Sequence, residues 1–270
     1  MVKSCSILLA VTVLVLLSSC QKTDSSKNSP AGKNVKTDVI IAHGGGSIDG
    51  YTYPNSLEAL NLSYSKGCRL FELDIIETSD GTYVAAHDWV SYKSITDYEG
   101  VVDTTPLSEE EFLLLKVYGK YTPLNMDLIN RWFTIHPDAI LVTDKVNEPA
   151  KFAKQLRFKS RTIMELFSWV AVEEALAEGI TPMISDNLVF GVPDIEQRIE
   201  DMGISHLAIS RRYIDKNKDF LKGLKDKGVK TYVFHVNFDE GKDEMYVINN
   251  ELDYVHGLYA DNVDVINRIR

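Results

Sequence analysis

Residues 69–75 read Arg69-Leu70-Phe71-Glu72-Leu73-Asp74-Ile75, an apolar run of strand length carrying two carboxylates. Side chains alternate across a strand, so Glu72 and Asp74 share one face while Phe71, Leu73 and Ile75 occupy the other. Similar β-rich runs occupy residues 39–42, 83–87, 139–145, 162–166, 181–185, 206–210 and 230–237, eight in all with 69–75. Between them lie helical patterns over 56–66, 108–117, 149–156, 170–178, 194–202 and 219–227, several closing on a glycine (Gly67, Gly179, Gly203, Gly228) where a helix C-cap falls. Strands of the buried, parallel type alternating with amphipathic helices predict an α/β fold, a single-domain (β/α)8 TIM barrel, with a doubly wound open sheet as the competing architecture.

In such a barrel the chemistry sits at the C-terminal ends of the strands. The first run ends in His43-Gly44-Gly45-Gly46 and the third in His87-Asp88-Trp89. Glu72 and Asp74 repel each other unless a cation lies between them, and a hard divalent ion is the natural remedy. Two strand-end histidines flanking an acidic pair are equipment for moving one proton off a nucleophile and another onto a leaving group. The glycines after His43 are not a nucleotide-binding loop, because no Gly-Lys-Ser/Thr follows.

Composition limits the alternatives. Of 270 residues, 44% are apolar and 25% charged, which excludes a disordered chain, and the formal net charge of −10 disfavours nucleic acid as a partner. The one long apolar run lies at residues 7–17, after Lys3 and before Leu17-Ser18-Ser19-Cys20. A basic start, a short apolar segment and small residues before a cysteine describe a secretory signal, and the tetrapeptide resembles a bacterial lipobox. The expected organisation is therefore a signal peptide over 1–19, a lipidated Cys20 with a polar tether to residue 37, and a catalytic domain over 38–270. The mature protein is then extracytoplasmic, held to the membrane through Cys20. Loss of Cys5 with the signal leaves Cys68 without a disulfide partner, and its apolar setting reads as core packing.

The ordered motifs Ile41-Ala42-His43, Asn55-Ser56-Leu57-Glu58-Ala59, Phe71-Glu72-Leu73-Asp74, Thr78-Ser79-Asp80-Gly81 and His87-Asp88 together resemble the glycerophosphodiester phosphodiesterases of the phosphatidylinositol-phospholipase-C-like barrel group. Fainter echoes follow at Thr122-Pro123-Leu124, Val233-Phe234-His235-Val236-Asn237 and Leu258-Tyr259-Ala260-Asp261-Asn262. The resemblance implies a phosphoric diester hydrolase that uses one divalent cation, Ca²⁺ or Mg²⁺, on a small phosphodiester such as a glycerophosphodiester or a phospholipid-derived ester. It makes His43 and His87 the acid/base pair and Glu72 and Asp74 metal ligands. A phospholipase-C-like lyase giving a cyclic phosphate and a non-catalytic barrel that binds a phosphorylated ligand are the alternatives.

The sequence departs from the family pattern at three points. Gly44 stands where an arginine usually follows the first histidine, and Pro54 stands where a glutamate usually precedes the asparagine. Thr143-Asp144-Lys145 replaces Glu-x-Lys, and strict alternation does not let Asp144 and Lys145 both face inward. Either a bulge lets Asp144 complete the metal shell with Lys145 on phosphate, or Lys145 alone enters and another residue, such as Glu165 or Glu148, substitutes. Asp144 is the preferred third ligand. Lys145, His235 and Trp89 are the candidate substrate contacts, and the loop over 44–53 with its Asp49 is a further candidate to reach in. Arg211-Arg212 reads as an ordinary solvated pair, His136, His206 and His256 as structural, and Glu109-Glu110-Glu111 as the first turn of a helix capped by Ser108 with Leu113 and Leu114 turned to the core.

Overall fold

A computed structural model describes residues 37–269 of the chain. The expected signal segment, Cys20 and the tether up to residue 36 lie outside the described residues. Nine strands form one sheet: β1 (Ile40–Ala42), β2 (Leu70–Glu77), β3 (Tyr83–Ala85), β4 (Ile140–Asp144), β5 (Thr162–Leu166), β6 (Thr181–Ser185), β7 (His206–Ser210), β8 (Lys230–Phe234) and β9 (Gly257–Ala260). Eight of them are parallel neighbours in the order β1, β2, β4, β5, β6, β7, β8, β9, and β9 pairs back to β1, which closes the barrel. Among the described residues no helix is long and apolar enough to cross a membrane.

The predicted number of barrel strands is right, but the membership differs. The run at 83–87 contributes β3, which pairs antiparallel to the far end of β2 through Ile75–Ala85, Ile76–Val84 and Glu77–Tyr83. The reason is connection length: residues 78–82 suffice for a hairpin turn, whereas a parallel crossover needs about a dozen residues or more. The eighth barrel strand is β9, whose leading Gly257 is compulsory because a Cβ there would lie 2.0 Å from the Val39 carbonyl oxygen.

Register explains where the site is. The barrel interior holds one apolar residue from each parallel strand: Ile41, Leu70, Val142, Ile163, Met183, Ala208, Tyr232 and Tyr259. Two positions further along each strand direction, on the same face by alternation, come His43, Glu72, Asp144, Glu165, Ser185, Ser210, Phe234 and Asp261. An apolar floor is thus overlaid by a ring that is polar at seven of eight places, at the C-terminal mouth. Phe71, Leu73 and Ile75 face outward into the larger core beneath the helices, as alternation requires. Cys68 is buried there too, and burial pushes its thiol up to about 12.

Helix α1 (Leu57–Ser65) starts at Ser56, whose hydroxyl accepts the Ala59 amide. Between β3 and the later helix at Met126–Ile135 the chain makes an excursion containing α2 (Trp89–Ile95) and α3 (Glu109–Leu114). The excursion has its own small core of Val84, Ala86, Trp89, Tyr92, Leu107, Phe112, Val117 and Tyr121. Ser108 caps α3 as expected and forms a capping box with Glu111, but Phe112 takes the buried position of α3 and Leu114 is 74% exposed. Arg211 is also not solvated: its guanidinium is fully buried and bonded to both oxygens of Glu251 at 2.5 and 2.7 Å. His206 and His256 lie at the opposite end of the barrel from the site, where His256 Nε2 meets Asp38 at 3.0 Å and His206 stacks on Tyr232. His136 stacks on Trp132.

Candidate active site

β2 and β4 are paired so that Asp74 lies opposite Asp144, which sets the two carboxylates side by side, with Glu72 two residues earlier on the same face of β2. One oxygen from each of Glu72, Asp74 and Asp144 lies within 4.8 Å of the others. Two of the three are aimed by the loop after β1. The Gly44 amide donates to Glu72 Oε2 at 2.6 Å, while Asn55 donates to Asp74 Oδ2 at 2.9 Å and accepts the Asp74 amide at 3.1 Å. Such outer contacts orient metal ligands.

The cluster fits a hard divalent cation. Glu72 Oε1 is buried and has no hydrogen-bond partner, an arrangement that costs free energy unless something fills it. Burial, followed by the charges of Asp74 and Asp144, holds the Glu72 carboxyl well above the usual carboxylate range. Three carboxylates face one ammonium, that of Lys145, at 2.9 Å from Asp144 and 3.8 Å from Asp74, so a doubly charged ion balances the set. The all-oxygen donor set is the kind calcium and magnesium take.

The question of Asp144 and Lys145 is settled by a turn rather than a bulge. β4 ends at Asp144, facing inward, and Lys145 has φ +69°, with its amide held by Asp144 Oδ1 at 2.6 Å. Once out of the strand Lys145 is free of alternation, so its ammonium also turns to the cluster. Glu165, in the same ring, accepts the Tyr259 hydroxyl at 3.1 Å and is pushed up to about 8, chiefly by burial and then by Asp144. Glu148 is an exposed residue outside the site.

Both histidines line the same cavity as the carboxylates, each with a carboxylate behind it. His43 Nδ1 lies 3.0 Å from Asp261 Oδ1, just past the end of β9. His87 Nδ1 lies 2.7 Å from Asp88 Oδ2. A carboxylate that accepts the Nδ1 proton leaves Nε2 of each ring as the nitrogen open to the cavity's chemistry. Against the opposing effect of burial, bonds from the Ser91 hydroxyl and amide and from His87 hold Asp88 down to about 2. His87 reaches the mouth on the β2–β3 hairpin, not at the end of a barrel strand. The Tyr53 ring stands between the imidazoles, edge-on to His43 at 4.2 Å and to His87 at 6.5 Å between centroids.

His235 and Lys145 line the cavity, and His235 has φ +52° just after β8. Burial, then Arg212 and His43, lower the His235 pKa. Trp89 does not line it; its ring is 8% exposed and packs edge-on to Tyr92 and Phe112 in the core of the excursion. Asp49 is held outside by Lys120 at 2.8 Å and Tyr121 at 2.7 Å, so it ties the loop to the excursion instead of reaching in. Gly44 is dictated by packing: it has φ +54°, and a Cβ there would lie 2.7 Å from the Tyr53 Cα. An arginine has no room at this position. Asp261 and Asn55 stand in the quoted motifs but were not among the predicted site residues, and Tyr53 ends the 44–53 loop that was a candidate to reach in. The signal for Asp261 was its place after an apolar run ending in Ala260.

No family model matches the chain, and no curated protein matches it in sequence. Solved structures do. A phosphodiesterase from Oleispira antarctica, in complex with the product sn-glycerol-3-phosphate, superposes with a TM-score of 0.65 at 20% identity, over 87% of this chain and 98% of that one. A glycerophosphodiester phosphodiesterase from Thermotoga maritima gives 0.65 at 19% identity, over 86% and 98%. One from Parabacteroides distasonis gives 0.66 at 17%, over 86% and 85%. The chain has the glycerophosphodiester phosphodiesterase fold. Within that fold the acidic cluster and both histidine–carboxylate pairs occupy the C-terminal mouth of the barrel, the end at which such barrels carry their chemistry.

Proposed function

We propose that the chain is a divalent-cation-dependent phosphodiesterase of the glycerophosphodiester type, with His43 and His87 as its acid/base pair. The observation that carries this reading is the meeting of Glu72, Asp74 and Asp144 within 4.8 Å in one cavity with two imidazole–carboxylate pairs. Glu72, Asp74 and Asp144 would hold a cation of the Ca²⁺ or Mg²⁺ class, which when bound polarises a phosphate oxygen and lowers the pKa of an attacking hydroxyl or water. Gly44 and Asn55 keep two of those carboxylates aimed, so little reorganisation accompanies binding. Lys145, and His235 beside it, meet the negative charge of the phosphate. The two imidazoles divide the proton work, one accepting from the nucleophile and the other donating to the departing alkoxide; Asp261 and Asp88 hold the rings and stabilise whichever becomes imidazolium. The relative with bound sn-glycerol-3-phosphate supports a glycerol phosphate as one product.

Phosphorus NMR of a glycerophosphodiester panel tests this. The expected result is release of a phosphomonoester, lost on chelation and reduced by about 10²- to 10⁴-fold in His43→Ala and His87→Ala. A cyclic phosphate as final product would favour the lyase instead, and inertness of the cation-loaded protein would refute the proposal. We further propose that the protein is extracytoplasmic and held to the membrane by lipid on Cys20. Cys20→Ala should then release it from the membrane fraction, and an unchanged distribution would count against the anchor.

A further inference from the structure

Resting on the phosphodiesterase reading, we infer that the substrate still carries one hydrocarbon chain: a single-chain phosphodiester lipid rather than a fully deacylated ester. The cavity that holds the acidic cluster has a volume of about 770 Å³, in the upper part of the range for drug-sized ligands and far beyond what a phosphate and a glycerol fill. The carboxylates, His43, Lys145 and His235 come from the barrel strands and the residues that directly follow them. On the side supplied by the hairpin and the excursion, apart from the His87 imidazole and the Ser91 hydroxyl, which donates to Asp88 at 2.6 Å, the wall is Ala85, Ala86, Tyr92, Ile95 and Tyr118.

That wall offers a ligand carbon, not hydrogen bonds. The Tyr92 hydroxyl donates to the Phe112 carbonyl at 2.7 Å and the Tyr118 hydroxyl to the Thr52 carbonyl at 3.2 Å, so both phenols have their polar ends committed to backbone and are left with their rings. No carboxylate or ammonium belongs to this part of the lining. A polyol would lose its water there without compensation. An alkyl chain gains about 0.8 kcal/mol for each methylene buried. Since the phosphate-binding groups and the apolar wall line one cavity, one amphiphilic molecule satisfies both. The same excursion also exposes Val101 (75%), Val102 (46%), Leu114 (74%) and Val90 (38%), apolar side chains suited to contact with the lipid from which such a substrate comes.

The test uses the cation-loaded protein and a soluble series: glycerophosphocholine and its butyryl, hexanoyl and octanoyl monoesters, kept below their micelle thresholds. The expected result is a kcat/KM that rises with chain length, by up to about fourfold per methylene. Ile95→Trp and, as a second filling variant, Ala86→Leu should lower the ratio of octanoyl to deacylated turnover by about tenfold. Equal kcat/KM along the series, with turnover intact, overturns the lipid assignment and leaves the phosphodiesterase standing. A rate that follows choline over ethanolamine at constant chain also overturns it, since the rings would then be caging an ammonium. If no member is turned over, the phosphodiesterase reading fails by itself. Calorimetric affinities for the same series then decide the present proposal, chain-dependent values supporting it and flat values refuting it.

Discussion

Replacing Gly44 by alanine probes the link between the first loop and the acidic cluster. The added Cβ would sit 2.7 Å from the Tyr53 Cα and 3.2 Å from its carbonyl carbon, both backbone atoms that no rotamer change can move. At φ +54° the substitution also places an L side chain in the left-handed region, which costs about 1–2 kcal/mol. Overpacking of this kind adds about 1–3 kcal/mol. A total of roughly 2–5 kcal/mol corresponds to a fall in Tm of about 4–20 °C for a domain of this size. The loop must shift to relieve the contact, and the Gly44 amide that holds Glu72 at 2.6 Å shifts with it. Cation affinity should therefore drop by about 10- to 100-fold. Gly44→Arg, which restores the residue usual in the resembling family, should be at least as damaging and not a gain of activity. Urea unfolding gives the stability change, and calorimetric titration with Ca²⁺ and Mg²⁺ gives the affinity. A Gly44→Ala protein with both values near those of the parent would refute the described loop, and an active, stable Gly44→Arg would refute the argument that packing excludes the arginine.

Three other outcomes follow from the charge arrangement. Glu72→Gln removes a carboxyl whose ionisation burial and the charges of Asp74 and Asp144 disfavour, so at pH above the usual carboxylate range the cation-free protein should gain stability while losing the cation-induced rise in Tm. In the parent that rise corresponds to about 2.7 kcal/mol at one hundred times the dissociation constant, and scanning calorimetry with and without cation checks both. Arg211→Met strands the Glu251 carboxylate in the core and should cost about 3–5 kcal/mol, with most of it recovered in Arg211→Met/Glu251→Leu; an additive double variant would contradict the buried pair. His206 is held down to about 4, first by burial and then by Lys230 and His256, against an ordinary value of 6.5. The unfolded chain thus binds the extra proton between those values, so stability falls as pH drops from 6.5 towards 4, by at most about 3 kcal/mol. His206→Phe keeps the ring against Tyr232 and should flatten that part of the stability–pH curve.

The primary sequence by itself determined whatever is enforced over a few residues. Alternation put Glu72 and Asp74 on one face, Ser108 and the acidic turn after it marked a helix start, and the succession of apolar runs and helical patterns pointed to a parallel α/β barrel over an open sheet. Strand ends pointed to His43 and Asp144 for the same reason. The same local rules failed where a longer-range event intervened: the 83–87 run has strand character, yet its short connection makes it a hairpin partner, and β9 is a four-residue strand, Gly257–Ala260, with too little pattern to stand out. Arg211 beside Arg212 looked solvated because nothing nearby announces Glu251, forty positions on.

Tertiary structure alone decided how the site is completed. Asp261 reaches His43 across a separation of 218 residues because β9 closes against β1, and ring closure is a property of the whole register rather than of any segment. The left-handed Lys145 and the contact of Gly44 with Tyr53 depend on which backbone passes alongside, something that side-chain periodicity does not encode. Periodicity governs the direction in which a side chain points, while the partner it meets there is chosen by strands and loops brought together from distant parts of the chain.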